Sequence, residues 1–91
     1  METLSDLKHH LQQIIASAEP EKSMLITRYQ RFIWEEEVAF SEECNDVLKE
    51  LAYDMDFYEP VLALQKEDPS YFGEDKLHAV IGEALYKLNM V

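Results

Sequence analysis

The strongest constraint on this chain is the spacing of its apolar residues, which recur three and four positions apart through four separate stretches and show no strand-like alternation. That period lines residues along one face of an α-helix. The first stretch, about Thr3 to Ala18, carries Leu4, Leu7, Leu11, Ile14, Ile15 and Ala18. Pro20 then restricts the residue before it and is tolerated in a first turn, so it marks the break to a second helix. This second stretch, about Pro20 to Ala39, sets Leu25, Ile26, Tyr29, Phe32, Ile33, Glu36 and Phe40 on its stripe, with Glu36 the misfit and Trp34 and Val38 partly off it. The third begins at Ser41, a good N-cap, with Glu42 and Glu43 suited to the positive end of the helix dipole. Its face is Cys44, Val47, Leu48, Leu51, Ala52, Met55 and Tyr58, and Pro60 is expected to stop it. The fourth, about Glu74 to Asn89, presents Leu77, Val80, Ile81, Ala84, Leu85 and Leu88. Four amphipathic helices with mostly short connections predict an all-α fold, an antiparallel four-helix bundle formed as a single domain over residues 1–91. The connection from Glu59 to Gly73 holds Val61, Leu62, Leu64, Tyr71 and Phe72, so it is expected to pack on the bundle and to hold a short helix.

Charge narrows the functional classes. Nineteen acids against eight bases leave a net charge of −11, beyond the magnitude of about 2–8 that keeps a small domain soluble. The excess lies between Glu35 and Asp75, where fourteen acids face only Lys49 and Lys66, a net of −12, while the rest of the chain is +1. Nucleic acid and anionic membranes select for lysine and arginine, so neither is expected to bind directly. A basic protein surface suits this block. Cys44 is the only cysteine, which rules out an internal disulfide and fits a reducing compartment. The first residues carry acids and lack the basic start of a signal peptide, and no apolar run approaches a membrane span, so a cytoplasmic location is expected.

The residues offer little for catalysis. A carboxylate-bridged metal site needs two Glu-x-x-His motifs on separate helices, and the nearest approach is a single Asp75-x-x-His78. His9 and His10 diverge by about 100° on a helix and cannot share a metal as an i,i+4 pair can, so both are expected at the surface. There is no phosphate loop, nucleophile elbow or zinc-binding thiol spacing, and Cys44 lies on an apolar stripe where thiols are inert. No catalytic residue, metal or cofactor is expected.

The polar side of the third helix is more informative. At about 100° per residue, Glu42, Asp46, Lys49, Glu50, Tyr53 and Phe57 stand opposite the apolar stripe, with Glu43 and Asp54 on one flank and Asp56 on the other. Two aromatics one turn apart among carboxylates have the make-up of a protein interface, an aromatic anchor within a charged rim. The structural alternative is that the following connection folds over Tyr53 or Phe57 and buries it.

The run Glu50-Leu51-Ala52-Tyr53-Asp54-Met55-Asp56-Phe57-Tyr58-Glu59-Pro60, then an acidic connection with Tyr71 and Phe72, then the helix through Leu77, Val80, Ile81, Leu85, Lys87 and Leu88, resembles the colicin D-type immunity proteins and the related immunity proteins of contact-dependent growth inhibition. The resemblance spans about Leu25 to Leu88. It implies a four-helix bacteriocin-immunity protein that neutralises its own nuclease toxin, in the colicin D type a tRNA-cleaving domain with a basic cleft, by presenting acids where tRNA phosphates would lie. By position it implies Asp54, Asp56 and Glu59 as toxin contacts, extended by Glu42, Glu43, Asp46 and Glu50. The competing reading is an acidic helical adaptor, or a nucleic-acid mimic that regulates a DNA-binding protein. The free protein is expected to be a monomer, and the acids Glu35 to Glu37 beside Trp34 are the next candidate surface.

Overall fold

A computed structural model describes residues 3–35 and 40–90. It is all-helical, with five helices among the described residues: α1 (Leu4–Ala16), α2 (Glu21–Glu35), α3 (Glu42–Met55), the single turn α4 (Leu62–Gln65) and α5 (Glu74–Met90). The predicted second helix reaches further, but its last residues, Glu36 to Ala39, lie outside the described residues.

Helix α1 starts in a capping box. The Thr3 hydroxyl accepts from the Asp6 amide at 3.1 Å and the Asp6 carboxylate accepts from the Thr3 amide at 3.3 Å, so two otherwise unpaired donors at the helix start are satisfied together. It ends at Ala16, two residues short of the predicted end, where the Ser17 hydroxyl donates to the Gln13 carbonyl at 2.7 Å. Ser41 caps α3 as predicted, its hydroxyl accepting from the Cys44 amide at 3.2 Å.

One core joins the four long helices. It contains Leu7, Leu11 and Ile14 of α1, Ile26, Tyr29 and Ile33 of α2, Cys44, Leu48, Leu51, Ala52 and Met55 of α3, and Leu77, Ile81, Ala84 and Leu88 of α5. Each helix therefore buries the centre of its predicted stripe, with Leu4, Leu25, Phe32, Val47, Val80 and Leu85 partly buried at the edges, Ala18 exposed, and Lys22 buried on α2 outside the prediction. Helix α1 packs on α2 and α5, and α3 packs on the same two from the other side. Polar groups tie α2 to α3: the buried Tyr29 hydroxyl donates to the Leu48 carbonyl at 2.9 Å, and burial pushes that phenol well above its usual range. Gln30 adds a bond to the Ala52 carbonyl at 2.9 Å.

Three expectations need correction. His10 is buried, not at the surface: its Nε2 donates to the Leu25 carbonyl at 2.8 Å and its ring stacks near Tyr29. It shares the face of Leu7, Leu11 and Ile14, and a hydrogen bond to a backbone carbonyl offsets the burial of its polar atom. Second, α3 ends at Met55, well before Pro60. The amides of Asp56, Phe57 and Tyr58 each reach back three residues, tightening the last turn, and the backbone at Phe72 then captures the chain. Phe72 donates to the Phe57 carbonyl at 2.9 Å and accepts from the Glu59 amide at 2.9 Å, an isolated parallel bridge pairing Tyr58 with Phe72. Third, the connection does hold a short helix, α4, but it packs on the core only through Phe72, leaving Val61, Leu62, Leu64 and Tyr71 exposed.

A charged junction occupies one end of the molecule. Lys22 of α2 is 1% exposed, yet its ammonium reaches His78 Nε2 at 2.6 Å and the Glu74 carboxylate at 3.3 Å, both on α5. Beside it the Tyr58 hydroxyl donates to Glu19 at 3.1 Å, and burial, then the charge of Glu19 and its hydrogen bond, push that phenol up to about 12.

Candidate protein-binding face

Because α3 buries Cys44, Leu48, Leu51, Ala52 and Met55, helical geometry turns Glu42, Glu43, Asp46, Glu50 and Tyr53 outward, and all five are exposed. Among the described residues the ion pairs are Lys22 with Glu74, His78 with Glu74, and Lys87 with Glu83. The acids of α3 enter none of them. Their crowding adds repulsion that no ion pair among the described residues offsets, with Lys76 and Lys87 easing it at Asp54.

Asp54 sits on the flank, half-buried in the groove between α3 and α5 with Val47, Glu50, Leu51, Val80, Glu83, Ala84 and Lys87. Desolvation, then the neighbouring Glu50, holds its carboxyl above the usual carboxylate range, with Glu83 adding to the effect and Lys76 and Lys87 opposing it. The groove encloses only about 60 Å³, room for a few waters and far short of the roughly 300–1,000 Å³ of a small-molecule pocket.

The aromatic pair is rearranged relative to the sequence reading. Tyr53 is 61% exposed and stands where the helix predicts. Phe57 does not. Because α3 has already ended, Phe57 turns back and packs half-buried against the core, its ring edge-on to Tyr53 at 5.5 Å. The connection leaves Tyr53 uncovered. The patch is thus one exposed tyrosine propped by a phenylalanine.

Asp56 and Glu59 also do structural work. Asp56 is exposed and caps α3, and its carboxylate accepts from Gln30 of α2 at 2.9 Å. Glu59 is half-buried, and its carboxylate accepts from the Val61 amide at 3.1 Å while its carbonyl accepts from Gln65 at 2.8 Å. Of the nine predicted contacts, Glu42, Glu43, Asp46, Glu50 and Tyr53 form one open face, Asp54 borders it, and Asp56, Phe57 and Glu59 build the base of the connection that follows. Trp34 is 52% exposed on α2; Glu36 and Glu37 lie outside the described residues.

Among the described residues no group of three or more histidine, cysteine, aspartate or glutamate side chains is placed to hold a metal ion, and no helix is long and apolar enough to cross a membrane. No protein-family model, no curated protein and no solved structure matches the chain.

Proposed function

We propose that this chain is a cytoplasmic immunity protein, an antiparallel four-helix bundle without catalytic activity that binds a basic nuclease toxin and covers its active-site cleft. The observation that carries the reading is the outer face of α3, where Glu42, Glu43, Asp46 and Glu50 stand exposed and outside the described ion pairs. A cleft built to hold phosphates is a region of positive potential, and fixed carboxylates compete for it by charge complementarity. Tyr53 supplies an apolar anchor within the acidic rim. The four-residue link between α1 and α2 and the ring of neighbours α1–α2–α3–α5 support the antiparallel arrangement. A tRNA-cleaving target is the form implied by the likeness of the run Glu50 to Pro60 to colicin D-type immunity proteins.

The test is inhibition. Mixed with the nuclease-toxin domain encoded beside its own gene, the protein is expected to stop tRNA cleavage at equimolar amounts and to have no nuclease activity itself. Cleavage that persists at a molar excess overturns the proposal. Retained cleavage together with tight binding to a DNA-binding protein would favour the regulator reading instead.

A further inference from the structure

Helix α4 has no buried residue although its sequence, Leu-Ala-Leu-Gln, is mostly apolar. Leu62 is 76% exposed, Val61 49%, Leu64 39% and Tyr71 37%, so among the described residues four of the nine large apolar side chains left exposed fall within eleven consecutive positions. A cluster of this kind marks an interaction site more often than isolated surface residues do.

The segment is held in shape. Its base is closed by the backbone bonds of Phe72 to Phe57 and Glu59, its first turn by the Val61 amide on the Glu59 carboxylate, and its interior by Gln65 on the Glu59 carbonyl. Gly73 permits the close approach of Gln65, since a Cβ there would lie 3.0 Å from the Gln65 amide nitrogen. A fixed apolar surface loses little conformational entropy on binding.

Charge identifies the occupant. In and beside this stretch Glu59, Glu67, Asp68 and Asp75 outnumber Lys66 and Lys76, the last of which lines the same groove as Leu62, while Glu74 is taken up by Lys22. The stretch is tied to the end of α3, the helix that carries the acidic face, because Phe72 bonds directly to Phe57 there. We infer that α4 with Val61 and Tyr71 is the apolar centre of the same interface, contacting an apolar spot beside the basic cleft of the nuclease, while the α3 carboxylates meet the cleft itself. This inference rests on the reading of α3 as a surface for a basic nuclease.

The two parts separate in a titration of wild-type protein, Leu62→Ser and Glu50→Lys against the toxin domain encoded beside the gene, at low and high salt. Leu62→Ser is expected to weaken binding about tenfold or more through faster dissociation, equally at both salts, and to leave the melting temperature unchanged because its side chain is already in water. Glu50→Lys is expected to slow association, most at low salt. In the wild-type complex, amide exchange across Leu62–Gln65 is expected to slow, a readout that needs no variant. Wild-type affinity in Leu62→Ser with weakened Glu50→Lys, or unslowed exchange at α4, overturns the inference and leaves the α3 reading standing. Unweakened binding in both variants overturns both. A dimer of the free protein that Leu62→Ser dissociates would show that a second copy, not the nuclease, covers α4.

Discussion

Two charged regions of this protein are built on opposite principles. At the Lys22 junction one ammonium is nearly sealed from solvent and meets its partners on another helix, His78 at 2.6 Å and Glu74 at 3.3 Å. On the outer face of α3 the carboxylates stand in water and enter no described ion pair. The first arrangement joins α2 to α5 and holds the fold. The second adds no ion pair among the described residues and opposes folding by repulsion, and in the function proposed above it serves an external partner. Acidity alone does not mark the difference, since Glu74 and Glu50 are the same residue type; whether a cation of the same chain has been brought to them does.

The sharpest way to break this contrast is at Lys22. Lys22→Ala removes a buried aliphatic stem as well as the charge and is expected to destabilise the protein by about 2–3 kcal/mol. Lys22→Met keeps most of the stem and is expected to be close to neutral, because an apolar isostere avoids the desolvation of a buried ammonium. Urea denaturation compares them. Equal losses would mean that the ion pair, not the packing of the stem, holds the junction.

Next in size is Glu50→Lys. Reversing one charge on the open face is expected to cost on the order of 2 kcal/mol of affinity for a basic nuclease while helicity is kept. Binding titrations paired with circular dichroism test it, and normal binding would move the recognition surface toward Trp34 and Glu35.

The same conservative change should then have opposite signs in the two regions. Glu74→Gln is expected to lower stability by roughly 0.5–1 kcal/mol, a figure kept small because that carboxylate is largely in water. Glu50→Gln is expected to raise stability by a few tenths of a kcal/mol by relieving repulsion. A shared sign in thermal melts would erase the distinction.

How far the residues foretold all this differs by element. The buried stripes of α1, α3 and α5 were legible because Leu7, Leu11 and Ile14, Leu48 and Leu51, and Leu77, Ile81 and Leu88 keep helical spacing without interruption. The exposure of Glu42, Asp46 and Glu50 followed from the same geometry. Lys22 was not legible as a core residue, although it lies on the line of Ile26, Tyr29 and Ile33, because only the distant Glu74 and His78 make its burial tolerable. The end of α3 was hidden for a similar reason: Tyr58 continues the apolar spacing, and what stops the helix is the backbone of Phe72, fourteen positions further on. Local pattern reports which face of a helix is inside; it does not report a partner brought in from far along the chain.

The smallest expected effect is a titration. Burial and Glu50 hold the Asp54 carboxyl above its usual value of 3.8 in the folded state. The folded protein therefore keeps this proton more readily than the unfolded chain does. Asp54 opposes folding at neutral pH, and the penalty fades as pH falls through the folded value toward the unfolded one. Asp54→Asn is expected to stabilise the protein by a few tenths of a kcal/mol at pH 7 and by nothing near pH 3, in melts recorded across that range.

The bridge between Tyr58 and Phe72 has one more consequence. Because Phe72 bonds to both Phe57 and Glu59, the connection leaves the helical scaffold and returns to it at nearly the same point. A segment anchored this way behaves as a cassette. Residues 60–71 are expected to tolerate exchange, shortening to a tight turn or a protease cut while the stripes of α1, α2, α3 and α5 stay interlocked, because the core takes no residue from this stretch and Phe72, which it does take, lies just beyond it. Such a chain can change what its rim presents without repacking its interior.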